Sequence, residues 1–307
     1  MSCEKRLVRR IGERMAAVIA CLFGVGVLFS LSGENEYSRC ESSIGKGVSL
    51  LTWNRRGLLP GRAWGVKFDM SAQKFRIAVV MNPGGSNVTA TVSDLAREAN
   101  GMGCPVAGIN ADAFGYDKSK MENPAHPFGL VISGGRVLNC GASWLNQTDE
   151  LFLVETEAGE LRVSKPSFPA EGLKSTSNDV AFEDRRAREA VHVLRHVVKS
   201  GEFIRDDSDG CTISPGTYFG FGENVRMMLV TDGRRMSCPF GLTARDVSIL
   251  FCREGCTEVV QFDGGGSSTL WVEKRGVVNS PCDGASRRVA NALFVLRNEG
   301  GATDFGE

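Results

Sequence analysis

Short apolar runs separated by turn residues recur along most of the chain. Runs of about four to eight residues that alternate, or are rich in β-branched and aromatic side chains, are typical of strands. They predict strands at 64–70, 75–81, 106–114, 151–155, 160–163, 217–221, 225–231, 259–262, 269–273 and 289–296. We expect residues 71–74 to join the first two strands as a hairpin turn, and 128–138 to form a hairpin around its two glycines.

Helical spacing of apolar residues, with a recognisable start and stop, occurs in two segments. Residues 91–100 show it, with Thr91 or Ser93 as the N-cap. The segment that follows Thr243 shows it up to Gly255, a residue type that commonly ends helices. Both segments are therefore predicted to be helices.

A third segment is ambiguous. From 179 to 198 the apolar residues recur at helical spacing, but 191–198 is β-branched enough to be a strand instead. Within it, the charged run 183–189 is interpreted as a solvated face. The polar stretch 165–180 that precedes it is expected to be a surface loop.

Strands outnumber helices in this pattern, and neither a repeat nor a linker interrupts it. The sequence therefore predicts an α+β fold, a single β-rich domain of mixed sheets with a few flanking helices. We assign 1–32 to a signal peptide or N-terminal membrane anchor, 33–62 to a lead-in segment, 63–298 to the domain and 299–307 to a tail.

The N-terminal assignment depends on five basic residues followed by an uncharged, mostly apolar stretch at 15–32. Ser30 and Ser32 give a small-x-small cleavage site, which is typical of a secretory signal. The stretch is also just long enough to span a bilayer, so a membrane tether through 15–32 is the alternative. We expect a secreted, periplasmic or envelope-associated protein.

Charge and cysteine content bear on which partners, disulfides and metal sites the protein can have. The chain has 36 basic and 36 acidic residues, and without residues 1–32 the acidic ones are in slight excess, so no nucleic-acid partner is predicted. Eight cysteines follow the leader, which favours disulfides, with a local bridge between Cys252 and Cys256 as one option. With three histidines and no C-x2-C motif, no structural zinc site or other cofactor is predicted, although a divalent cation stays open.

Candidate chemistry lies at the ends of predicted strands. Asp263 follows an apolar run and precedes Gly264, Gly265, Gly266 and Ser267. Taken alone, this stretch is either a tight turn capped by Asp263 or a loop that lets backbone N–H groups approach an anion. Other polar residues at predicted strand ends or just before a strand are Asn110, Asp112, Asp232, Arg234 and Arg287.

Carboxylates and arginines at strand ends suit sugar-phosphate chemistry. Glycoside cleavage uses carboxylates around an oxocarbenium-like centre, and guanidinium groups match phosphate oxygens. A phosphate leaving group departs as a stable anion, so one carboxylate and an anion clamp could suffice. P-loop, dinucleotide and nucleophile-elbow motifs are absent from the sequence, which argues against those enzyme classes.

The order of the motifs resembles the phosphodiester glycosidase family over about residues 65–297. The matching motifs lie at 109–112, 129–132, 215–220, 232–234, 241–243, 262–268 and 287–293. The resemblance implies a site lined by Asn110, Asp112, Thr217, Asp232, Arg234, Asp263, Gly264, Gly265, Gly266, Ser267, Arg287 and Asn291. It also implies a structural role for Asp246, in place of a helix glutamate.

The resemblance implies a hydrolase that cleaves a sugar-1-phosphodiester, with Asp263 as the leading catalytic carboxylate and Asp112 or Asp232 assisting. Arg234, Arg287 and the glycine loop would bind the phosphate of a carbohydrate or phosphoglycan substrate. One position departs from the family, which commonly has an arginine where this chain has Gly216. The alternative is therefore a non-catalytic protein that binds surface glycan or phosphoglycan.

Overall fold

The structure is a computed structural model that describes residues 37–55, 60–83, 88–116, 125–139, 150–166, 181–182, 185–205, 213–236 and 238–298. Strands, numbered in chain order, make up most of this part of the chain.

The largest sheet has eight strands in the order β1-β2-β3-β17-β16-β18-β14-β15. They are β1 (Tyr37–Gly45), β2 (Val48–Arg55), β3 (Gly61–Asp69), β14 (Arg195–Lys199), β15 (Glu202–Phe203), β16 (Gly216–Phe221), β17 (Val225–Thr231) and β18 (Glu258–Phe262).

A five-stranded sheet has the order β20-β19-β5-β21-β4. Its members are β4 (Phe75–Met81), β5 (Cys104–Asn110), β19 (Leu270–Val272), β20 (Gly276–Val277) and β21 (Asn291–Arg297). All of its paired strands run antiparallel, as they do in the eight-stranded sheet.

A third sheet contains β11-β10-β13-β8-β9, with β12 paired to β13 outside that order. Its strands are β8 (Val131–Ser133), β9 (Arg136–Asn139), β10 (Leu151–Thr156), β11 (Leu161–Ser164), β12 (Ala181–Phe182) and β13 (Arg185–Val193). A separate hairpin pairs β6 (Phe114–Tyr116) with β7 (Ala125–Pro127).

Two α-helices occur in the described part of the chain, α1 (Val92–Ala99) and α2 (Ala244–Arg253). Thr91 caps α1 and Thr243 caps α2, each through a capping box with the aspartate three residues on. Both predicted helices are confirmed. The β-rich single domain is confirmed too, with less helix than the term α+β implies. The mixed sheets are not found, since all strand pairs among the described residues are antiparallel.

The main core lies between the eight-stranded and five-stranded sheets, where alternate side chains of both meet. Its large buried members include Phe68, Phe219 and Phe262 from the former and Ile77, Ile109 and Leu293 from the latter. Helix α1 covers the outer face of the five-stranded sheet, and α2 covers that of the eight-stranded sheet. This packing holds the two sheets against each other, so the ends of their strands keep fixed positions.

The assignment of 33–62 to a lead-in is wrong for 37–55, which form β1 and β2. Leu51 and Trp53 of β2 are buried under α2. Arg55 donates to the Asp246 carboxylate at 3.1 Å, so Asp246 has the structural role that we expected. The alternating pattern of β2 is short and interrupted by polar residues, which concealed its buried face.

Residues 71–74 do not form the predicted hairpin. Strand β3 pairs with β2 and β17, whereas β4 pairs with β21 in the other sheet. The Asp69 carboxylate accepts from the backbone of Ser71 and Ala72, which turns the chain out of its sheet. Hydrophobic alternation predicts a strand but says nothing about its partner.

The helix considered for 179–198 is wrong, and the strand alternative holds as β13 and β14. The charged run also departs from its interpretation, because Glu189 within it is fully buried. Its carboxylate accepts from the backbone N–H of Val79 at 2.9 Å and of Gly134 at 3.0 Å. Two backbone donors satisfy the buried charge, which allows it to lie inside.

The local bridge between Cys252 and Cys256, one option for the expected disulfides, is not formed, since both are free thiols. No helix among the described residues is both long and apolar enough to cross a bilayer. The signal or anchor at 1–32 and most of the loop predicted at 165–180 lie outside the described residues, as do Cys140, Cys211 and the tail.

Candidate active site

Four strands from two sheets end at the same place. In the five-stranded sheet Asn110 of β5 pairs with Ala292 of β21, and in the eight-stranded sheet Thr217 of β16 pairs with Phe262 of β18. The Asp263 N–H donates to the Ala111 carbonyl at 3.0 Å and ties the two sheets together. The polar residues predicted at these ends therefore converge.

Asn110 is the buried centre of this junction. Its Nδ2 donates to the Asp263 carbonyl at 2.7 Å. Its Oδ1 accepts from the Thr217 hydroxyl at 2.8 Å and from the Thr269 N–H at 3.1 Å. Both Asn110 and Thr217 are buried. Although both were predicted to bind substrate, their contacts here hold the loop that carries Asp263.

Asp263 is half-buried at the start of a tight turn. Its Oδ1 accepts from the Gly264 N–H at 2.9 Å, and the Gly265 N–H donates to the Pro215 carbonyl at 2.9 Å. Of the two interpretations of this stretch, these contacts agree with the capped turn. Asp263 caps the turn, and these two N–H groups serve the protein itself rather than an anion.

The glycines matter because two arginines lie against them. A Cβ added to Gly265 would come within 3.1 Å of an Arg234 nitrogen, and one added to Gly266 would collide with Arg287. Gly265 also has a φ of +62°, a conformation that disfavours other residues. The turn therefore brings both guanidinium groups onto the backbone that follows Asp263.

Burial of the carboxyl raises the pKa of Asp263. The nearby Ser267 hydroxyl, the Gly264 N–H and the Arg287 charge act in the opposite direction and offset part of that rise. Asp263 is thus a carboxyl in a partly dry site beside a guanidinium. This is the electrostatic environment expected of a catalytic acid, base or nucleophile.

Asp112 lies in a buried pair with His192. Its Oδ1 is 3.0 Å from His192 Nδ1, and its Oδ2 accepts from the Gly129 N–H at 2.8 Å. His192 Nε2 lies 3.6 Å from a Glu150 oxygen. Burial raises the pKa of Asp112. Burial lowers the pKa of His192, but the hydrogen bond and charge of Asp112, with the charge of Glu150, together raise it above its ordinary value.

Asn291 supports Asp112 from the neighbouring strand. Its Oδ1 accepts from the Asp112 N–H at 2.9 Å. The Asn291 Nδ2 and the hydroxyls of Ser268 and Thr269 are buried without a hydrogen bond within the described residues. Native proteins rarely leave such atoms unpaired, so each is a candidate for a hydrogen bond with water or a ligand.

Asp232 forms its hydrogen bonds with residues outside the turn 263–266, which we call the glycine turn. Its Oδ2 accepts from the Trp64 ring N–H at 2.8 Å, and its Oδ1 accepts from the Ser280 N–H at 2.9 Å. Burial raises its pKa. Both oxygens are thus engaged, and the residue anchors the segment that leads to Arg287.

Gly216 leaves no room for the family's arginine. A Cβ added there would lie 2.5 Å from the Tyr218 hydroxyl. The two residues are on the same face of β16, and Tyr218 is buried beneath α2. The phenol thus fills the space where that side chain would begin.

Sequence reasoning missed His192 and Asp283. His192 alternates with valines in β13, and nothing in that pattern tells which face meets Asp112. Asp283 lies four residues before Arg287, and this spacing was the only available signal. Among the described residues, no group of three or more His, Cys, Asp and Glu side chains is placed to hold a metal ion.

Comparison with known proteins shows the family of this chain and its fold. The model of the phosphodiester glycosidase family matches residues 103–296, which include Asn110, Asp112, Asp263 and Arg287. The SPbeta prophage-derived uncharacterized protein YomE of Bacillus subtilis (strain 168) is 38% identical over 73 residues. These residues are 24% of this chain and 11% of YomE, so the chain spans about a tenth of that relative.

Solved structures share the fold at low sequence identity. The zebrafish N-acetylglucosamine-1-phosphodiester alpha-N-acetylglucosaminidase catalytic domain, auto-inhibited by its pro-peptide, has a TM-score of 0.60 at 14% identity, covering 85% of this chain and 88% of that chain. A Burkholderia pseudomallei K96243 protein, provisionally described as exported, has a TM-score of 0.61 at 11% identity, covering 86% and 97%. A hypothetical protein from Synechocystis has 0.57 at 12%, covering 85% and 64%.

Proposed function

Because this chain belongs to the phosphodiester glycosidase family, we propose that it hydrolyses a sugar-1-phosphodiester to a free sugar and a phosphate monoester. The observation that supports this most is the turn of Asp263. One half-buried carboxylate there is followed by three glycines, and Arg234 and Arg287 lie against the second and third of them. The zebrafish protein of similar fold is named for an N-acetylglucosamine-1-phosphodiester, which makes that sugar the first to test.

In the proposed reaction, the bond between the anomeric carbon and the phosphate oxygen breaks, and the phosphate keeps the electron pair. A water oxygen becomes bonded to the anomeric carbon and loses a proton. Ionised Asp263 acts at the anomeric carbon, where positive charge develops. Arg234 and Arg287 bind the phosphate oxygens, and the leaving group needs little protonation because it departs as an anion.

The other predicted site residues are proposed to position the reacting groups or to contact the sugar. Asp112 and Asp232 have both carboxylate oxygens engaged by protein donors, so we propose that they position the site rather than contact the sugar. The unpaired amide nitrogen of Asn291 is a candidate for contact with a sugar hydroxyl.

The test is hydrolysis of UDP-N-acetylglucosamine and of aryl-phosphoryl sugar diesters by the full chain and by Asp263→Asn. We expect a loss of at least about a hundredfold in kcat, because the carboxylate acts on the reacting carbon. Asp69→Asn is the matched control, since Asp69 only caps a turn next to β3. Equal turnover by Asp263→Asn and wild type would exclude Asp263 from the chemistry.

We call Arg234 and Arg287 together the phosphate clamp. The neighbouring residues Arg287 and Arg288 provide a matched control for it. Arg287 lies on Gly266, whereas Arg288 donates to the Thr89 carbonyl away from the turn. We expect Arg287→Gln to raise KM for the diester about tenfold or more and Arg288→Gln to leave it near the wild-type value. The reverse order would move the phosphate site away from Gly266.

The second candidate function is non-catalytic binding of surface glycan or phosphoglycan. Gly216 supports it, because the Tyr218 ring takes the space of the arginine that the family commonly has. Saturable binding of phosphoglycan without turnover of any phosphodiester would favour this candidate. Turnover gained by the double substitution Gly216→Arg and Tyr218→Ala would indicate a site that is intact but lacks one anchor.

We further propose that the chain acts outside the cytoplasm, either secreted or held at the envelope. The basic and apolar pattern of 1–32 supports export. The Burkholderia protein of similar fold, provisionally described as exported, supports it as well. Fractionation of cells that express the full chain, with mass spectrometry of its N-terminus, would separate a cleaved from an uncleaved leader.

A further inference from the structure

Asp283 lies inside the proposed phosphate clamp. Its Oδ2 accepts from Arg287 Nε at 2.9 Å and lies 2.7 Å from the Arg287 terminal nitrogen. A Cβ added to Gly266 would collide with this same carboxylate oxygen as well as with Arg287. The carboxylate therefore rests on the glycine turn, where the guanidinium would hold a phosphate oxygen.

The second arginine of the clamp keeps its charge uncompensated. Arg234 is exposed beside Gly265, and no ion pair is formed by it among the residues described. The charges of Arg234 and Arg287 lower the pKa of the Cys282 thiol, which burial and Asp283 raise, so both guanidinium groups act on one small region. The two guanidinium groups and the Asp283 carboxylate have a net charge of +1, and the ionised Asp263 carboxylate beside them reduces the net charge of the site to zero.

That net charge favours the phosphate ester with the smaller negative charge. A phosphodiester carries a single negative charge at neutral pH, whereas a phosphate monoester carries about 1.5 to 2. The additional charge of a monoester would lie close to the Asp283 carboxylate and be repelled by it. A negative side chain in the site can thus discriminate between two phosphate esters that differ only in their negative charge.

We propose that Asp283 is a specificity-determining residue that makes the clamp select monoanionic phosphodiesters over dianionic phosphomonoesters. The inference rests on the proposed function, since it assumes that the turn beside Asp263 binds phosphate. It assigns Asp283 a role at both ends of the reaction. The diester is accepted when it enters, and the monoester formed by cleavage is released because it has gained charge.

The experiment is calorimetric titration of the full chain with a matched pair of ligands at pH 7.5 and low salt. Phenyl phosphate is the dianion, and methyl phenyl phosphate is the same molecule with one charge removed by esterification. In Asp283→Asn we expect the Kd of phenyl phosphate to fall about tenfold and that of methyl phenyl phosphate by less than about threefold. Asparagine keeps an acceptor for Arg287, so the turn stays in place.

Two further variants make the result specific. Asp283→Glu keeps the charge and should keep the wild-type preference for the diester, and Asp69→Asn removes a distant charge and should change neither Kd. The tenfold gain should also shrink as salt is added, because screening weakens interactions between exposed charges. An equal change for the two ligands in Asp283→Asn, or no change, would overturn the proposal.

Turnover is measured separately, so that the two proposals can fail independently. A chain that binds with the expected selectivity but hydrolyses no diester would contradict the proposed hydrolysis and leave the role of Asp283 standing. A chain that hydrolyses diesters but shows no shift of ligand preference would contradict only the role of Asp283. If neither ligand binds wild type or Asp283→Asn at millimolar concentration, the clamp is not a phosphate site and the inference is wrong.

Discussion

The buried amide of Asn110 helps to connect the two sheets at the candidate site, beside the hydrogen bond from Asp263 to Ala111. It donates to the loop that carries Asp263 and accepts from Thr217 and Thr269. A side chain with both a donor and an acceptor is needed here, since one group faces a carbonyl and the other faces two donors. This explains why an asparagine, and neither an aspartate nor a leucine, fits the end of β5.

Asn110→Asp should therefore destabilise the protein by about 1 to 3 kcal/mol, because the Asp263 carbonyl loses its donor and a charge is buried. Urea unfolding gives the measurement. Asn54→Asp is the control, since the Asn54 oxygen accepts from Arg62 at the surface and a carboxylate would do the same. A loss at Asn110 no larger than at Asn54 would contradict the role assigned to this amide.

The buried pair of Asp112 and His192 makes a prediction about protonation. Burial lowers the pKa of His192, but the hydrogen bond and charge of Asp112 together raise it above the ordinary value of 6.5. In Asp112→Asn only burial and the weaker attraction of Glu150 remain, so the His192 pKa should fall below that of the wild type. NMR titration of labelled histidine measures it, with His126 and His196 as internal references. An unchanged His192 pKa would show that Asp112 does not hold the ring's proton.

At the scale of the elements, two buried glutamates close the open edge of β4. That strand is at the end of the five-stranded sheet and would otherwise leave backbone donors unpaired. Glu155 of β10 accepts from the Ile77 N–H at 3.3 Å, and Glu189 of β13 accepts from the Val79 N–H at 2.9 Å. Arg226 lies 3.2 Å from the Glu155 carboxylate and compensates its charge. Two glutamate side chains of the third sheet thus accept the backbone hydrogen bonds that a neighbouring strand would otherwise accept.

This arrangement makes stability depend on pH. Burial raises the pKa of Glu189 from 4.5 to about 7, so the folded state binds the proton more tightly than the unfolded one. The resulting stabilisation is fully present below pH 4.5 and is lost as pH rises through 7. Relative to Glu189→Gln, the wild type should lose about 2 to 3 kcal/mol between pH 5 and pH 8.

Urea unfolding of both proteins at several pH values measures that difference. Asp112, Asp232 and Asp263 also have raised pKa values, so they shift the wild type in the same direction and remain in the variant. Only the difference between the two proteins therefore isolates Glu189. A difference that stays constant from pH 5 to pH 8 would contradict a buried, protonated Glu189.

At the scale of the whole molecule, β1 and β2 belong to the domain. Leu51 and Trp53 are buried under α2, and Arg55 pairs with Asp246 of that helix. Burial of such side chains contributes about 2 kcal/mol each, and loss of one partner of a buried ion pair costs about 3 kcal/mol or more. These contributions together are comparable to the stability of a typical domain.

A chain that begins at residue 63 should therefore lose cooperative unfolding, whereas one that begins at residue 37 should keep it. Removal of β1 and β2 also exposes the edge of β3, which favours aggregation. Circular dichroism during urea titration, with sedimentation to detect aggregates, gives the comparison. The same midpoint for both chains would mean that β1 and β2 are dispensable.

The sequence predicted local features well because their causes are local. The capping residues Thr91 and Thr243 and the strand β18 before Asp263 follow from spacing within a few residues. The ambiguous segment 179–198 was different, since its strands depend on partners such as β10 and β18 that lie far along the chain. The buried Glu189 could not be predicted for the same reason, since its donors are Val79 of β4 and Gly134 in the turn between β8 and β9.

What the sequence determined by itself was a β-rich domain whose polar residues collect at strand ends, with Asp263 and its glycines as the leading candidate site. Those properties depend on side-chain periodicity and on short-range turn chemistry. Only the tertiary structure decided which residues meet there. It joined β3 and β4 to different sheets, paired Asp112 with His192 and set Asp283 beside Arg287 on Gly266. Strand partners depend on long-range packing, and two strands with similar alternation carry no local mark of which sheet each will join.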